Sequence, residues 1–284
     1  MTPLRKKMIR DMQLRNLSPH TQKGYVNSVV ALAQHYHRSP DQISPEEIQD
    51  YVIYLLNVRK IAVGGCHTIL SGLRFFYSVT LGQDKSRVPI PKIKNRRRLP
   101  DIFSGQELER LFAALTNIKH RVLLMTTYAG GLRVSEVIRL KVTDIHSDRM
   151  MIRVEQGKGK KDRYTLLSTR LLEELRRYWR IKHPDPWLFP GRLNQPMTRE
   201  MAHHIYVKAI KKAGLRRKGG IHTLRHCFAT HLLEAGEDLR TIQLLMGHDS
   251  IRTTVRYLQV TSKSLQGTRS PLDLLPILSG INNP

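Results

Sequence analysis

The stretch from His222 to Tyr257, HTLRHCFATHLLEAGEDLRTIQLLMGHDSIRTTVRY, sets a histidine, an arginine, a second histidine and a tyrosine in a helical context. His222 and Arg225 stand at the start of an apolar helical pattern (Leu224, Phe228, Ala229, Leu232, Leu233), so both project from one polar, cationic face over its first turn. A second short helix, expected over 239–246, stops at Gly247, which suits a helix C-terminus, and leaves His248 just beyond it. A third segment, 251–258, presents Tyr257. A phenol with a pKa of about 10 is a poor nucleophile at neutral pH. A tyrosine that attacks phosphorus therefore needs a base for its proton, or cations that stabilise the phenolate. The two histidines and the arginine supply both kinds of help. Core-packed helices with hydrogen-bonded histidines would explain any one of these residues alone, but not the set.

The composition supports that chemistry. Among 284 residues, 48 are Lys or Arg and 23 are Asp or Glu, a net charge of +25, and 40% are apolar, enough for one or two buried cores. Such an excess calls for a polyanionic partner. Residues 1–100 hold 17 basic and 6 acidic side chains and the remainder 31 and 17, so both halves should touch the same polyanion. Nucleic acid fits better than a membrane surface, because the sequence has no 18-residue apolar run and no basic amphipathic anchor. The opening LRKKMIRDMQLR is charged where a secretory signal would be apolar, and Cys66 and Cys227 lie far apart without a CxxC. These features predict a cytoplasmic, nucleoid-associated protein with neither a disulfide framework nor a zinc site.

The elements that must position the candidate residues follow from local signals. Residues 1–88 read as a helical domain of four helices. The first, 4–17, carries a basic face, and Ser18 caps the second, which runs to about 37. Ser44-Pro45-Glu46-Glu47 opens the third, to about 58, with Ser at the N-cap, Pro at the first helical position and Glu where a capping box requires it. The fourth, 65–81, carries Ile69, Leu70, Leu73, Phe76 and Tyr77 at helical spacing, a stripe that reads as core rather than as a stacking platform for bases. Residues 89–100 form a basic linker, prolines interspersed with Lys92, Lys94, Arg96, Arg97 and Arg98. A solvated linker and a segment crossing a phosphate backbone explain that charge equally well.

Residues 101–284 form the second domain. A capping box, Ser104 to Glu107, starts a helix to about 115, and another runs over 118–129 until Gly130-Gly131 breaks it. Arg133 then opens a short helix, RVSEVIRL, with Glu136 one turn on; an ion pair at a helix start would explain that arginine if it stood alone. The only convincing strands, 149–155 and 163–168, flank GKGKKD as a β-hairpin with Lys158 near its tip. Turn lysines are mostly solvated, but Gly157 and Gly159 would let this ammonium swing onto a phosphate or a leaving oxygen. Neither GxxxxGK[ST] nor a GxGxxG before a helix occurs. Helices at 170–181 and 198–213 follow, the second leading into a basic run that includes Lys211 and Lys212. An apolar tail, about 265–284, either folds back on its own domain or docks on another subunit.

Taken in order, GLRVSE (131–136), GKGKKDR (157–163), HTLRH (222–226), GH (247–248) and Tyr257 resemble the motifs of the tyrosine recombinases, the phage-integrase and Xer-like family, over essentially the whole chain. The resemblance places catalytic roles on Arg133, Lys158, His222, Arg225, His248 and Tyr257, with Tyr257 as nucleophile. It gives Glu136 the task of holding Arg133 or its helix. Cys227 and Lys160-Lys161 depart from the pattern without touching a role-bearing position. The implied fold is mainly α with a small β-hairpin or sheet, in two domains: a SAM-like helical core-binding domain and a mixed α+β catalytic domain, closing as a C-shaped clamp on double-stranded DNA. The implied function is that of a site-specific recombinase or integrase that cuts and rejoins duplex DNA through a 3'-phosphotyrosine intermediate, with no metal, ATP or other cofactor. The second and fourth helices of the first domain would then enter the major groove, making Thr21, Lys23 and Arg74 candidate DNA contacts beside the linker cations and Lys211 and Lys212. The tail would dock on the next protomer of a tetramer on two DNA sites, built from this chain alone or shared with a related recombinase.

Three rivals remain at this level. A metal-dependent nuclease could use His222 and His226, but HExxH is missing and no carboxylate cluster falls nearby. A non-catalytic DNA binder accounts for the charge and leaves the Arg/Lys/His/Arg/His/Tyr set without a purpose. A type IB topoisomerase shares the attack, yet the amino-terminal module and apolar tail argue against it. With the first helix opening close to Met1, no arm-binding domain is expected ahead of it, and with about 30 residues between Pro190 and His222 no integron-integrase insertion is expected there. A compact Xer-like or mobile-element-borne recombinase is therefore expected.

Overall fold

The computed structural model describes residues 2–84, 101–155, 162–216, 219–248, 250–255 and 257–258. The chain divides into two compact units, Met1–Arg97 and Arg98–Pro284, so the division falls inside the basic, proline-containing stretch.

The first unit contains α1 (Pro3–Leu14), α2 (Pro19–Tyr36), α3 (Pro45–Asn57) and α4 (Val63–Phe75). Thr2, Ser18 and Ser44 each accept a hydrogen bond from a backbone N–H of the first turn, and a proline follows each of them. That pairing satisfies an orphan donor and presets φ where the helix must begin. At α3 the box is complete: Ser44 Oγ accepts from Glu47 N, and the Glu47 carboxylate accepts from Ser44 N. The fourth predicted helix changes its winding at Phe76, where a π-helical turn, Phe76–Thr80, takes over. Leu70, Leu73, Phe76 and Tyr77 are buried, as a core stripe requires. α2 meets α4 at Gly72, where an added Cβ would stand 3.0 Å from Tyr25 Cα, so any side chain there would have to push the helices apart by a few tenths of an ångström. Lys23 is exposed on α2, Thr21 shares a hydrogen bond with Ser18, and Arg74 is half-buried on α4.

The second unit opens with α5 (Gly105–Ala113), α6 (Ile118–Ala129) and α7 (Val134–Val137), followed by β1 (Ile145–His146), β2 (Met151–Val154) and β3 (Arg163–Leu166). Next come α8 (Thr169–Lys182), α9 (Arg199–Lys212), α10 (His222–Glu234), α11 (Leu239–Met246) and α12 (Arg252–Val255). The strands form one antiparallel sheet in the order β1-β2-β3, with Met151 opposite Leu166 and Val154 opposite Arg163. Sequence periodicity predicts two strands; β1 is the addition, and its two residues are too few for an alternation to register. α6 forms the middle of the unit, packed against α8 and α10, with Val122, Leu123 and Leu124 fully buried. α11 lies against β3 and α10, which brings the end of the sheet to the elements that carry the candidate chemistry. Neither cysteine is in a disulfide, and both are buried. Among the described residues no helix is long and apolar enough to cross a membrane.

Candidate active site

The turn ahead of α7 depends on Gly131, whose φ is +58° and whose added Cβ would stand 2.3 Å from the Phe228 ring of α10. Only glycine allows both that backbone and that contact. The turn thereby sets its Gly131 carbonyl 2.6 Å from Arg225 Nη1. Arg225 is only 4% exposed, so the polar face expected at the start of α10 is divided: His222 stays exposed and the arginine points inward. Burial of the guanidinium is made possible by carbonyl partners, the second being Met246 O at 2.6 Å from Nη2.

Two further arginines complete a pattern around the end of α11. Arg133 Nη2 donates to Gly247 O at 3.0 Å, and Arg163 Nε donates to Leu245 O at 3.0 Å. Three guanidinium groups, from the N-cap of α7, from β3 and from α10, thus take the consecutive carbonyls of Gly247, Leu245 and Met246. The last carbonyls of a helix lack intrahelical donors and carry partial negative charge. The cations answer that need and fix the backbone from which His248 emerges. Gly247, at φ +60°, supplies the left-handed cap that turns the chain there.

Glu136 supplies the opposing charge. Its Oε1 accepts from Arg133 Nη1 (2.7 Å) and Arg163 Nη1 (2.9 Å), while Oε2 accepts from Arg133 N (2.7 Å) and Arg163 Nη2 (2.8 Å). Arg225 Nη1 stands 3.7 Å from Oε2. Burial by itself would push this carboxyl's pKa up; hydrogen bonds and charge from Arg163, then from Arg133, overcome that and hold it at about 2. Burial first, and then the Arg133 charge, press the Arg225 guanidinium below its ordinary range, though it stays cationic at neutral pH.

The depressed carboxyl pKa makes a stability prediction. Stabilisation from Glu136 is complete above the ordinary value of 4.5 and is lost as pH falls through about 2. Glu136→Gln is therefore expected to destabilise the protein at pH 7 by roughly 3 kcal/mol, the size of the shift in pKa terms, and the deficit should fall by about half at pH 3. Urea melts of both proteins at the two pH values measure it, and an unchanged deficit at pH 3 would contradict the charge network.

His222 begins α10; it keeps solvent contact, but partial desolvation first, and then Arg225 and Arg133, lower its pKa from 6.5, which favours the neutral ring at pH 7. His248 is oriented twice, by Nδ1 to Thr254 Oγ1 of α12 at 2.9 Å and by its carbonyl, which accepts from Gln243 Nε2 at 2.9 Å. Tyr257, just after α12, is fully buried against Phe228, Ala229, Ile242 and Met246. Its hydroxyl shares a 2.9 Å hydrogen bond with His226 Nδ1. The phenol is also near enough to Arg225 for a phenolate there to favour the guanidinium's charged form.

Arg133, His222, Arg225, His248 and Tyr257 are thus gathered on α7, α10, α11 and the segment beyond it. Lys158, the linker residues Lys92, Lys94, Arg96, Arg97 and Arg98, and the apolar tail lie outside the described residues. Lys211 and Lys212 are exposed at the end of α9. Sequence reading gave no role to Arg163, Gln243 or Thr254, nor to the carbonyls that Arg163, Gln243, Arg133 and Arg225 hold. It took His226 only as half of a metal-binding pair. Arg163 did carry a signal, as the last residue of GKGKKDR. Among the described residues no group of three or more His, Cys, Asp or Glu is placed to hold a metal ion.

A model of the phage integrase family matches residues 102–264, and one of the phage integrase N-terminal SAM-like domain matches residues 4–87. The chain belongs to the phage integrase family. Similar to this family member is an integrase/recombinase of Sinorhizobium fredii, provisionally so named, 47% identical over 97% of this chain and 90% of its own length. A tyrosine recombinase of Pseudothermotoga lettingae is 33% identical over 89% of this chain and 91% of its own. Among solved structures, XerH recombinase bound to a palindromic difH substrate in a post-cleavage complex shares the fold, with a TM-score of 0.73 at 21% identity over 90% of this chain and 81% of that one. This phage integrase family member is accordingly a tyrosine site-specific recombinase, mainly helical with a small antiparallel sheet.

Proposed function

We propose that this recombinase cuts and rejoins duplex DNA by attack of Tyr257 on a phosphodiester, giving a 3'-phosphotyrosine link and a free 5'-hydroxyl. The observation that carries this reading is the packing of Tyr257 against Met246 and α10, where Arg225 holds the Met246 carbonyl, Arg133 holds the Gly247 carbonyl next to it, and His248 follows. Charge builds on the non-bridging phosphate oxygens in the transition state, where preorganised donors act most strongly. A guanidinium carries five N–H donors, so Arg133 and Arg225 can keep their carbonyl contacts and still reach a phosphate oxygen. Glu136 and Arg163 hold these donors in place. His222, neutral at pH 7, is available to assist proton transfer from the tyrosine. Lys158 protonates the leaving 5'-oxygen, as the family motif implies. The arginines take the charge that a metal would otherwise neutralise, and the covalent link keeps the phosphodiester's energy, so neither metal nor ATP is required. Because Tyr257 is fully buried, a path for the phosphate to its hydroxyl must open at the site before attack.

Double-stranded DNA is the partner that the net charge of +25 supports. Residues 1–88 serve as the core-binding domain, with Thr21, Lys23 and Arg74 toward the major groove, residues 89–100 cross the backbone with their cations, and residues 101–284 perform the chemistry, aided by Lys211 and Lys212. The working assembly is a tetramer on two DNA sites, of this chain alone or with a related recombinase, linked by the apolar tails. The protein acts in the cytoplasm on nucleoid DNA, as an Xer-like or mobile-element-borne enzyme.

The test uses duplexes tiled across the DNA flanking the gene, each nicked beside a candidate scissile phosphate, in the presence of chelator. The expected result is a covalent protein–DNA adduct that peptide mapping places on Tyr257. DNA binding without any adduct across the tiled set would leave only a basic DNA-binding protein.

A further inference from the structure

The family motif gives the proton of the attacking tyrosine to the first histidine of HTLRH, but the structure sets the second one against the phenol. His226 Nδ1 lies 2.9 Å from Tyr257 Oη, with ring centroids 5.8 Å apart and planes at 49°. His226 directly follows Arg225 on α10, so the helix that meets the phenol through its imidazole also carries the buried guanidinium. Phe228, Ala229, Ile242 and Met246 enclose the tyrosine ring and hold its oxygen at α10. Unlike the buried phenol, His226 is partly exposed, which gives a proton taken up there a route to water.

We propose that His226 is a catalytic residue of strand cleavage and rejoining, taking the Tyr257 proton on Nδ1 as Oη bonds to phosphorus and giving it back when the tyrosine leaves. The inference rests on Tyr257 being the nucleophile. In cleavage the Oη–P bond forms and the P–O5' bond breaks; the phenol proton goes to His226, and the 5'-oxygen takes a proton from a separate acid, Lys158 in the reading above. In rejoining the O5'–P bond forms and the Oη–P bond breaks; Tyr257 recovers its proton from His226, and the 5'-hydroxyl proton returns to that acid. Histidine is the side chain suited to taking and returning a proton at neutral pH.

His226→Asn tests this, because an amide oxygen near the place of Nδ1 still accepts a hydrogen bond but is not basic. Single-turnover cleavage of a nicked substrate by the full chain is expected to fall by about 100-fold or more, with DNA affinity unchanged. Tyr257→3,5-difluorotyrosine, whose phenol ionises more readily, should restore most of that loss. A substrate with sulfur at the 5'-bridging position, which needs no leaving-group acid, should restore none. A wild-type rate in His226→Asn, no relief from the fluorinated tyrosine, or full relief from the sulfur substrate would each overturn the proposal. If His226→Asn does not fold, His226→Gln is measured in the same way. Should neither fold, the fluorinated tyrosine in an otherwise wild-type chain decides. Transfer to His226 leaves the acid limb of its pH–rate profile where native tyrosine puts it, and a limb that follows the phenol's acidity overturns the proposal. An adduct formed by Tyr257→Phe would defeat the parent reading, whereas an inert Tyr257→Phe with a full-rate His226→Asn defeats only this one.

Discussion

Tyr257→Phe is expected to abolish covalent capture of DNA while leaving DNA affinity near the wild-type value. The substitution removes one oxygen and keeps the ring that fills the space between Phe228, Ala229, Ile242 and Met246. Its structural consequence includes the loss of the hydrogen bond to His226, which costs about 1 kcal/mol. A fold with its own core in each unit tolerates that. The chemical consequence is total, since phenylalanine has no atom to bond to phosphorus. Denaturing gels of nicked-substrate reactions report the adduct and fluorescence anisotropy reports binding. A persistent adduct would move the nucleophile to another residue.

Arg225→Ala is expected to combine two losses. Removing one preorganised donor from the transition state lowers cleavage by roughly 100- to 1,000-fold. The carbonyls of Gly131 and Met246 also lose their 2.6 Å partner, and a buried acceptor left unmade costs about 1–3 kcal/mol. The melting temperature should therefore drop together with the rate, and the rate should stay low at temperatures where the variant is fully folded. Arg225→Lys separates the two effects. An ammonium is a point charge that cannot span both carbonyls and a phosphate as the planar fork does, so stability should recover in part and the cleavage rate very little. A lysine variant cleaving at the wild-type rate would show that charge alone suffices and that the fork geometry is irrelevant.

These expectations differ in how much of their basis was readable before folding. Helix starts were readable at Ser18, Ser44, Ser104 and Thr198, because a cap is an interaction between residues three apart in the chain and needs no tertiary partner. The end of α11 at Gly247 was readable for the same reason, the left-handed residue being local. The short strand β1 was not, since two residues carry no periodicity and their pairing with Ile152 and Met151 is made by the sheet.

At the site, the residue types and their order determined the class of chemistry: a phenol, guanidinium groups and imidazoles at motif spacing. What each side chain faces was decided by the tertiary structure. Arg163 is bound to Glu136 and Leu245, residues 27 and 82 positions away, and Arg225 to Gly131, 94 away, so no local window contains both partners. His222 and His226 both lie within one turn of Arg225 in sequence, three residues before it and one after, and only the packing of Tyr257 against α10 sets one of them, His226, at the phenol. Sequence specifies a group's charge and reach because these are properties of the side chain. Which proton it receives depends on a distance between segments, and that distance exists only once the cores have closed.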